Sequence, residues 1–208
     1  MSIFAPESPA RFAAAIARFD AENARDPKSV LSDGVAQPYE LVYSRWLTDW
    51  VLRLKPEASE ALRLAARCQH LCRWEIPRDS YPATRAGYLK WRQKLKEFHA
   101  DKAAAILRDL GYGDELIRQV QDLNLKRHFP ADADCRVLED ALCLLFLERQ
   151  FADLAARTPA DKMVAALQKC WAKMTPAAKA EALKLDFAPA EKALLDLALK
   201  PESPPASQ

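Results

Sequence analysis

Apolar residues recur with a period near 3.6 along almost the whole chain, and no stretch alternates convincingly between apolar and polar positions. In residues 9–25, for example, Phe12, Ile16 and Phe19 fall on one stripe, and residues 39–54 are strongly amphipathic. A period of 3.6 places such residues on one face of a helix. The pattern predicts an all-α protein, a bundle of about seven to nine helices.

Capping residues mark where several of these helices begin and end. Ser59 has a side chain that caps helix N-termini, and Thr175 precedes Pro176, a residue favoured in the first turn. Gly111 can adopt the left-handed geometry that ends a helix. These residues predict the start of the third helix, the start of a late helix, and the end of the long helix over residues 86–109.

The third helix is predicted to run from Ser59 to the break at Ile76-Pro77, which places His70 in mid-helix. Two proline-containing stretches, residues 27–38 and 77–85, are predicted to be loops.

The composition excludes several classes of protein. Half of the 208 residues are apolar, and 31 Lys and Arg balance 29 Asp and Glu to a formal net charge of +2. A charge this small gives no strong signal for nucleic acid or an anionic membrane. Only four glycines occur, and no G-x-G-x-x-G or G-x-x-x-x-G-K pattern is present, which disfavours folds that bind phosphate through glycine-rich loops. Any anion site must therefore be local.

The sequence also predicts location and domain organisation. It has no run of about 18 apolar residues to span a bilayer, and its N-terminus lacks a basic segment followed by an apolar one. The five cysteines lie in apolar helical patterns and predict reduced thiols. We therefore expect a cytoplasmic protein with a single domain over residues 1–200 and a disordered Pro/Ser-rich tail at 201–208.

The chain contains three histidines, His70, His99 and His128. His70 lies between Cys68 and Cys72, where a lone histidine is more often a hydrogen-bonded core residue than a ligand. His99 has the same interpretation when taken alone, and His128 is expected to be exposed at a helix end. The two cysteines and His70 are a poor zinc motif, because on a helix His70 points away from both cysteines.

The pair Glu139-Asp140 lies in the most apolar helix. Carboxylates that enter a core cost several kcal/mol unless they are paired or bound to metal, so the pair is a candidate site. Alternatively, both residues lie in the first turn of that helix, where negative charge suits the helix dipole. The sequence leaves both interpretations open.

A basic and aromatic cluster follows His70. Arginine presents a planar fork to phosphate or carboxylate, and aromatic rings offer stacking faces. The mixture suits a nucleotide or another phosphorylated ligand, and the alternative is a solvated basic loop with aromatic residues packed beneath it. The cluster consists of Arg73, Trp74, Arg78, Tyr81, Arg85, Tyr88, Lys90, Trp91, Arg92 and Lys94.

The order of these elements resembles the HD superfamily of all-α metal-dependent phosphohydrolases over residues 39–150. The family helix A-A-L-L-H-D is similar to AARCQH at residues 65–70, so the family's His-Asp dyad reads Gln69-His70. The stretch from His99 through AAILRDLG is similar to the family's next histidine helix, and Asp140 stands for its last ligand. The first family histidine falls near Tyr43 or Ser44, neither of which is a good metal ligand.

This resemblance implies that His70, His99 and Asp140 hold a divalent Mn, Fe or Zn ion, or transfer protons without a metal. Glu139 would orient a neighbouring side chain. The residues implied to bind a small anionic, phosphorylated or nucleotide-like substrate are Gln69, Arg73, Trp74, Arg78 and Lys90. The implied function is an HD-like hydrolase.

The chain also resembles an uncharacterised bacterial family known as a domain of unknown function. The stretches RFDAENARDP, RWEIPR, GYLKWR, KEFHADKA and LEDALCLLFLE carry this similarity, which implies no activity. Two alternatives to the hydrolase therefore remain open, a non-catalytic helical protein that binds a ligand or partner, and a non-haem iron oxygenase on the same scaffold.

Overall fold

The computed structural model describes residues 5–200, so the predicted disordered tail at 201–208 lies outside the described residues. The prediction of an all-α fold is confirmed. The described chain forms α1 (Pro9–Asn23), β1 (Ser29–Ser32), β2 (Val35–Pro38), α2 (Tyr39–Leu54), α3 (Glu60–Cys68), α4 (Arg85–Asp109), α5 (Asp114–Leu125), α6 (Ala133–Arg149), α7 (Phe151–Ala155), α8 (Ala160–Lys173), α9 (Pro176–Ala182) and α10 (Pro189–Leu199), with 3-10 turns at Arg73–Glu75 and Arg78–Ser80.

The described residues form ten α-helices, one more than the upper limit of the prediction. The additional helix arises because the apolar stretch expected as one helix over residues 136–156 is interrupted. Gln150 leaves helical geometry with φ −124° and ψ −19°, so α6 ends before it and α7 begins after it. The predicted caps are confirmed. The hydroxyls of Ser59 and Thr175 accept hydrogen bonds from the amides of Leu62 and Ala178, and Gly111 has φ +75°.

A β-hairpin replaces the loop predicted over residues 27–38. Strands β1 and β2 pair antiparallel, with Ser32 opposite Val35. The turn residues Asp33 and Gly34 both have positive φ, 53° and 77°, as a two-residue hairpin turn requires. The Asp-Gly pair was therefore a signal for this hairpin in the sequence.

The third helix is shorter than predicted, because α3 ends at Cys68 and Gln69 is its C-cap. His70 therefore lies in the turn after α3 and not in mid-helix. The chain reverses at Cys72, which adopts φ +53°, a conformation uncommon outside glycine. The Cys72 amide donates to the Asn23 side-chain oxygen at 3.1 Å, so α1 holds this reversal in place.

The described residues divide into two compact units after Leu138, so that α6 begins in the first and ends in the second. In the first unit α3 is central and packs against α1, α2, α4 and α5. Its side chains Leu62 and Leu64 are fully buried, as is Leu71 in the following turn. The turn that carries His70 is thus fixed by the core of this unit.

The second unit is built on α8 and α10, which pack against each other and against α7. Phe151, Met163 and Leu167 are buried there. Among the residues that the structure describes, no helix is both long enough and apolar enough to cross a bilayer.

Candidate functional site

Side chains from three segments meet in the first unit and form what we call the histidine centre: Glu40 and Tyr43 of α2, His70 and Arg73 of the turn after α3, and His99 of α4. The rings of Tyr43 and His70 stack at 4.2 Å between centroids and 11° between planes. The centroids of His70 and His99 are 5.9 Å apart. The structure therefore brings together the two histidines that the sequence singled out.

His99 is fixed by the backbone. Its Nδ1 lies 2.8 Å from the carbonyl oxygen of Leu71, and since a carbonyl only accepts, Nδ1 carries the proton. Nε2 then presents a lone pair. The residue is 3% exposed, and burial, together with nearby His70, lowers its pKa from 6.5 to about 3. His99 is therefore neutral at physiological pH.

His70 lies between a cation and a carboxylate. The Arg73 guanidinium Nη1 is 3.4 Å from Nε2, which therefore accepts, and Nδ1 lies 3.3 Å from Oε2 of Glu40. This arrangement assigns the ring proton to Nδ1. Burial is the largest cause that places the pKa of His70 well below 6.5, followed by the charge of Arg73. His70 is thus also neutral.

Glu40 is the acidic group of the centre and is buried. Burial raises its pKa from 4.5 to about 7, although Arg73 and Lys28 act in the opposite direction. Its backbone amide donates to Asp26 at 2.9 Å, which fixes the start of α2. Glu40 can therefore exchange a proton near neutral pH.

Seven buried side-chain N and O atoms have no hydrogen-bond partner within residues 5–200, and four of them belong to the histidine centre or to the residue next to His70: Glu40 Oε2, Gln69 Oε1, His70 Nδ1 and His99 Nε2. We call these four the open polar atoms. Glu40 Oε2 and His70 Nδ1 are close, but the ring N–H is not directed at the oxygen. An unsatisfied buried polar group costs about 1–3 kcal/mol. A cost repeated at one place in a fold is typical of a site that a ligand or water completes.

Cationic side chains surround the centre. Arg73, Lys126 and Arg92 lower the pKa of His70 through their charge, and Lys102 does the same for His99. Lys28 acts on Glu40. The electrostatic surroundings therefore favour an anionic ligand over a metal cation.

The predicted metal ligands do not form a three-ligand set. His99 Nε2 suits a ligand, but His70 Nε2 faces a guanidinium, and both carboxylate oxygens of Asp140 are engaged by Thr175. In the described part of the chain no group of three or more His, Cys, Asp or Glu side chains is arranged to hold a metal ion. The described residues therefore do not fit the metal that the HD resemblance implies, and no chemical step below depends on one.

Glu139 and Asp140 have structural partners in the second unit. Both are buried in α6, which begins at Ala133, so they lie beyond its first turn. Glu139 Oε1 accepts from Lys173 Nζ at 3.0 Å, and Asp140 accepts from the amide and the hydroxyl of Thr175 at 2.9 and 2.5 Å. Asp140 thus supports the N-cap of α9.

Asp140→Ala should lower the free energy of unfolding by about 2 kcal/mol, because it leaves two donors of Thr175 without their acceptor. Urea denaturation followed by circular dichroism measures this loss. Asp161→Ala, at an exposed position in the first turn of α8, is the matched control and should change stability by less than about 0.5 kcal/mol. Equal stability of the two variants would contradict a capping role for Asp140.

Only some of the residues predicted to bind substrate lie at the histidine centre. Arg73 belongs to the histidine centre, and Gln69, which is buried, contributes an open polar atom. Arg78 donates to the carbonyl oxygens of Tyr81 and Pro82 at 2.8 and 2.9 Å, so it also orders its own loop. Trp74 is half-buried and Lys90 is exposed. Arg73 is thus the cation best placed to hold a ligand at the centre.

A cavity of about 380 Å³ lies elsewhere in the first unit, beside Asp122 and His128. Asp122 is engaged there by Arg118 at 3.1 Å, Arg127 at 2.7 Å and His128 at 3.4 Å. Its carboxylate is thus neutralised by its own neighbours. As expected, His128 is largely exposed.

Glu40 and Tyr43 are the members of the centre that sequence reasoning missed as site residues. An acidic residue in the first turn of a helix is ordinarily explained by the helix dipole, and α2 begins at Tyr39. The available signal was spacing, because Glu40, Tyr43 and Ser44 share one helical face and all three are buried.

Comparison with known proteins gives a family without an activity. The family model described as "Domain of unknown function (DUF4202)" matches residues 13–195. A search of curated proteins found no match. A search of solved structures found no match either.

Proposed function

For this chain, which belongs to the DUF4202 family, we propose that the histidine centre binds a small phosphorylated or nucleotide-like anion and hydrolyses it by acid–base catalysis. The observation that carries the proposal is the group of open polar atoms, buried together among cationic side chains. Such a hydrolysis is helped by one group that orients the attacking water and another that donates a proton to the leaving group.

The proposed roles follow from the protonation states. The Nε2 lone pair of His99 accepts a hydrogen bond from the attacking water and orients it. The water oxygen forms a bond to phosphorus as the bond to the leaving oxygen breaks, and the proton of the water passes to a non-bridging oxygen of the phosphate. Glu40, with a pKa of about 7, gives its proton to that leaving oxygen. Arg73 holds the non-bridging oxygens, since a guanidinium presents two parallel donors to phosphate.

The HD resemblance supports this proposal and also limits it. Tyr43 stands near the position of the first family histidine, and its ring stacks on His70. The order of these residues along the chain is thus consistent with an HD-like centre. Because Tyr43 supplies no metal ligand, we propose hydrolysis without a metal. The oxygenase alternative would require the metal site that the described residues do not form.

A second candidate is a non-catalytic ligand-binding protein. In the described ranges, neither the cavity beside Asp122 nor the recess lined by residues 77–83 is lined by His70 or His99. Glu40, Tyr43 and His99 are buried, which favours binding of an ion or a compact molecule over turnover of a large substrate.

The test measures hydrolysis of p-nitrophenyl phosphate and binding of inorganic phosphate by calorimetry. We expect His99→Asn to lower kcat by about 100-fold, because it removes the acceptor that orients the attacking water. Arg73→Ala should raise KM and weaken phosphate binding by about tenfold or more, since it removes a charged hydrogen bond. His128→Asn, at an exposed histidine outside the centre, is the matched control and should leave both quantities unchanged.

The outcomes separate the two candidates. If phosphate binding requires Arg73 but no tested phosphomonoester or phosphodiester is hydrolysed, the protein is a binding protein and not a hydrolase. If phosphate binds with equal affinity to the wild type and Arg73→Ala, or not at all, the proposed site is wrong. Elemental analysis of the purified protein tests the separate prediction of Mn, Fe or Zn.

A further inference from the structure

The positive charge of the chain is unevenly distributed. Residues 73–96 carry seven Lys and Arg against two acidic residues, an excess larger than the formal net charge of +2 of the entire chain. The balanced total therefore conceals a strongly basic segment. This segment comprises the loop before α4 and the first half of that helix.

The basic side chains of this segment are largely exposed. Arg85, Lys90, Arg92 and Lys94 all lie on the surface of α4, and within residues 5–200 none of them forms an ion pair with a carboxylate. Gly87, Trp91 and Leu95 form part of the buried face of the helix. The charges are thus available to a partner and are not used within the described fold.

An aromatic ring lies among these charges. Tyr88 is 41% exposed, and the guanidinium carbons of Arg78 and Arg92 lie 5.9 and 5.7 Å from its ring centroid. Trp91 beneath it is fixed by a hydrogen bond from its indole N–H to the carbonyl oxygen of Ile76 at 2.9 Å. Since the Tyr81 and Pro82 carbonyls hold Arg78, this guanidinium plane is ordered before any partner binds.

We propose that Arg78, Arg85, Tyr88, Lys90 and Arg92, which we call the α4 basic surface, bind single-stranded nucleic acid. Exposed cations neutralise the phosphates, and the ring and guanidinium planes offer faces on which bases stack. Arg78 also lines an open recess of about 850 Å³ formed by residues 77–83. This inference does not rest on the proposed function.

Nucleic acid fits this surface better than the other anionic partners. A helix that lies on a membrane has a continuous apolar face to insert, whereas the exposed face here offers only Tyr88 and Leu89 as large apolar groups. An acidic peptide would use the charges but does not need a stacking face beside them. The combination of an ordered guanidinium plane and an exposed tyrosine is typical of base stacking.

The test uses the full-length protein and fluorescein-labelled 15-nucleotide RNA and DNA single strands, with fluorescence anisotropy at 50 and 200 mM KCl. The triple variant Arg85→Glu, Lys90→Glu, Arg92→Glu should weaken binding by at least about 30-fold at 50 mM. Wild-type affinity should fall by about tenfold or more at the higher salt concentration. Tyr88→Ala should weaken binding by about tenfold and leave the salt dependence unchanged, since stacking releases no counterions.

The matched control makes the same change in charge at another surface. Arg157→Glu, Lys162→Glu and Lys169→Glu replace three exposed cations outside the α4 basic surface, so both triple variants have the same net charge. The control should bind within about threefold of the wild type. An equal loss of affinity in both triple variants would show that binding depends only on the net charge of the protein, and would overturn the proposal.

Two further results would also overturn it. One is no binding of either strand by the wild type at 50 mM KCl. The other is binding to vesicles containing 30% phosphatidylserine that depends on the α4 basic surface while the oligonucleotides do not bind, which would assign the surface to a membrane. A preference for RNA or for DNA would identify the natural partner within the proposed class.

Discussion

At pH 8, Glu40→Gln should raise the free energy of unfolding by about 3 kcal/mol, and at pH 4 it should change it by little. Burial raises the pKa of Glu40 from 4.5 in the unfolded chain to about 7 in the fold. Between these two values the unfolded chain has released the proton and the folded protein has not, so stability falls as the pH rises. At about 1.4 kcal/mol per pH unit, this difference amounts to about 3 kcal/mol.

Glutamine removes this dependence because it has no proton to release. Urea denaturation at pH 4, 6 and 8, followed by circular dichroism, measures the effect. Glu57→Gln, at an exposed glutamate, is the control and should be neutral at each pH. If Glu40→Gln is no more stable than the wild type at pH 8, Glu40 is ionised in the fold at no cost, and its proposed role as a proton donor loses its basis.

The same variant links stability to function. A carboxyl that makes the fold less stable at neutral pH has to contribute something other than stability. We therefore expect Glu40→Gln to be more stable at pH 8 and to lose hydrolysis of p-nitrophenyl phosphate. A variant that gained stability and kept its activity would show that Glu40 contributes neither to stability nor to hydrolysis.

Much of the fold could be predicted because its helices are amphipathic and their ends carry local signals. Ser59, Gly111 and Thr175 each act within one turn of their own position, so the sequence near them is sufficient. The end of α3 could not be predicted in this way. It depends on the reversal at Cys72, which Asn23 holds from 49 positions away in the chain.

The candidate site could be predicted only in part for the same reason. His70 and His99 stood out because histidine is rare in this chain. Glu40 resembles an ordinary first-turn glutamate until the fold brings His70 and Arg73 against it. The partner of Asp140 is 35 positions further along the chain, so neither interpretation of the acidic pair anticipated its bonds to Thr175.

Acidification from pH 7 to pH 4 should cost about 3 kcal/mol of stability through His99. The pKa of this group falls from 6.5 in the unfolded chain to about 3 in the fold. Below pH 6.5 the unfolded chain binds a proton that the buried ring does not accept, so stability falls with the pH until about pH 3. The lowered pKa of His70 acts in the same direction.

In the wild type the part of this loss that is due to His99 is largely offset, because protonation of Glu40 stabilises the fold by about the same amount over the same pH range. Glu40→Gln should therefore expose the loss, and the double variant Glu40→Gln, His99→Asn should recover about 3 kcal/mol of it at pH 4. Asparagine is the chosen replacement because its amide N–H can take the place of Nδ1 as donor to the Leu71 carbonyl.

Urea denaturation of the wild type, both single variants and the double variant at pH 7 and pH 4 measures these changes in the free energy of unfolding as a double-mutant cycle. His128→Asn, in the Glu40→Gln background, should leave the loss on acidification in place. If the double variant is as sensitive to acid as Glu40→Gln alone, His99 is not held neutral by burial. The prediction that its ring stays neutral at pH 4, with a free Nε2 lone pair, would then be wrong.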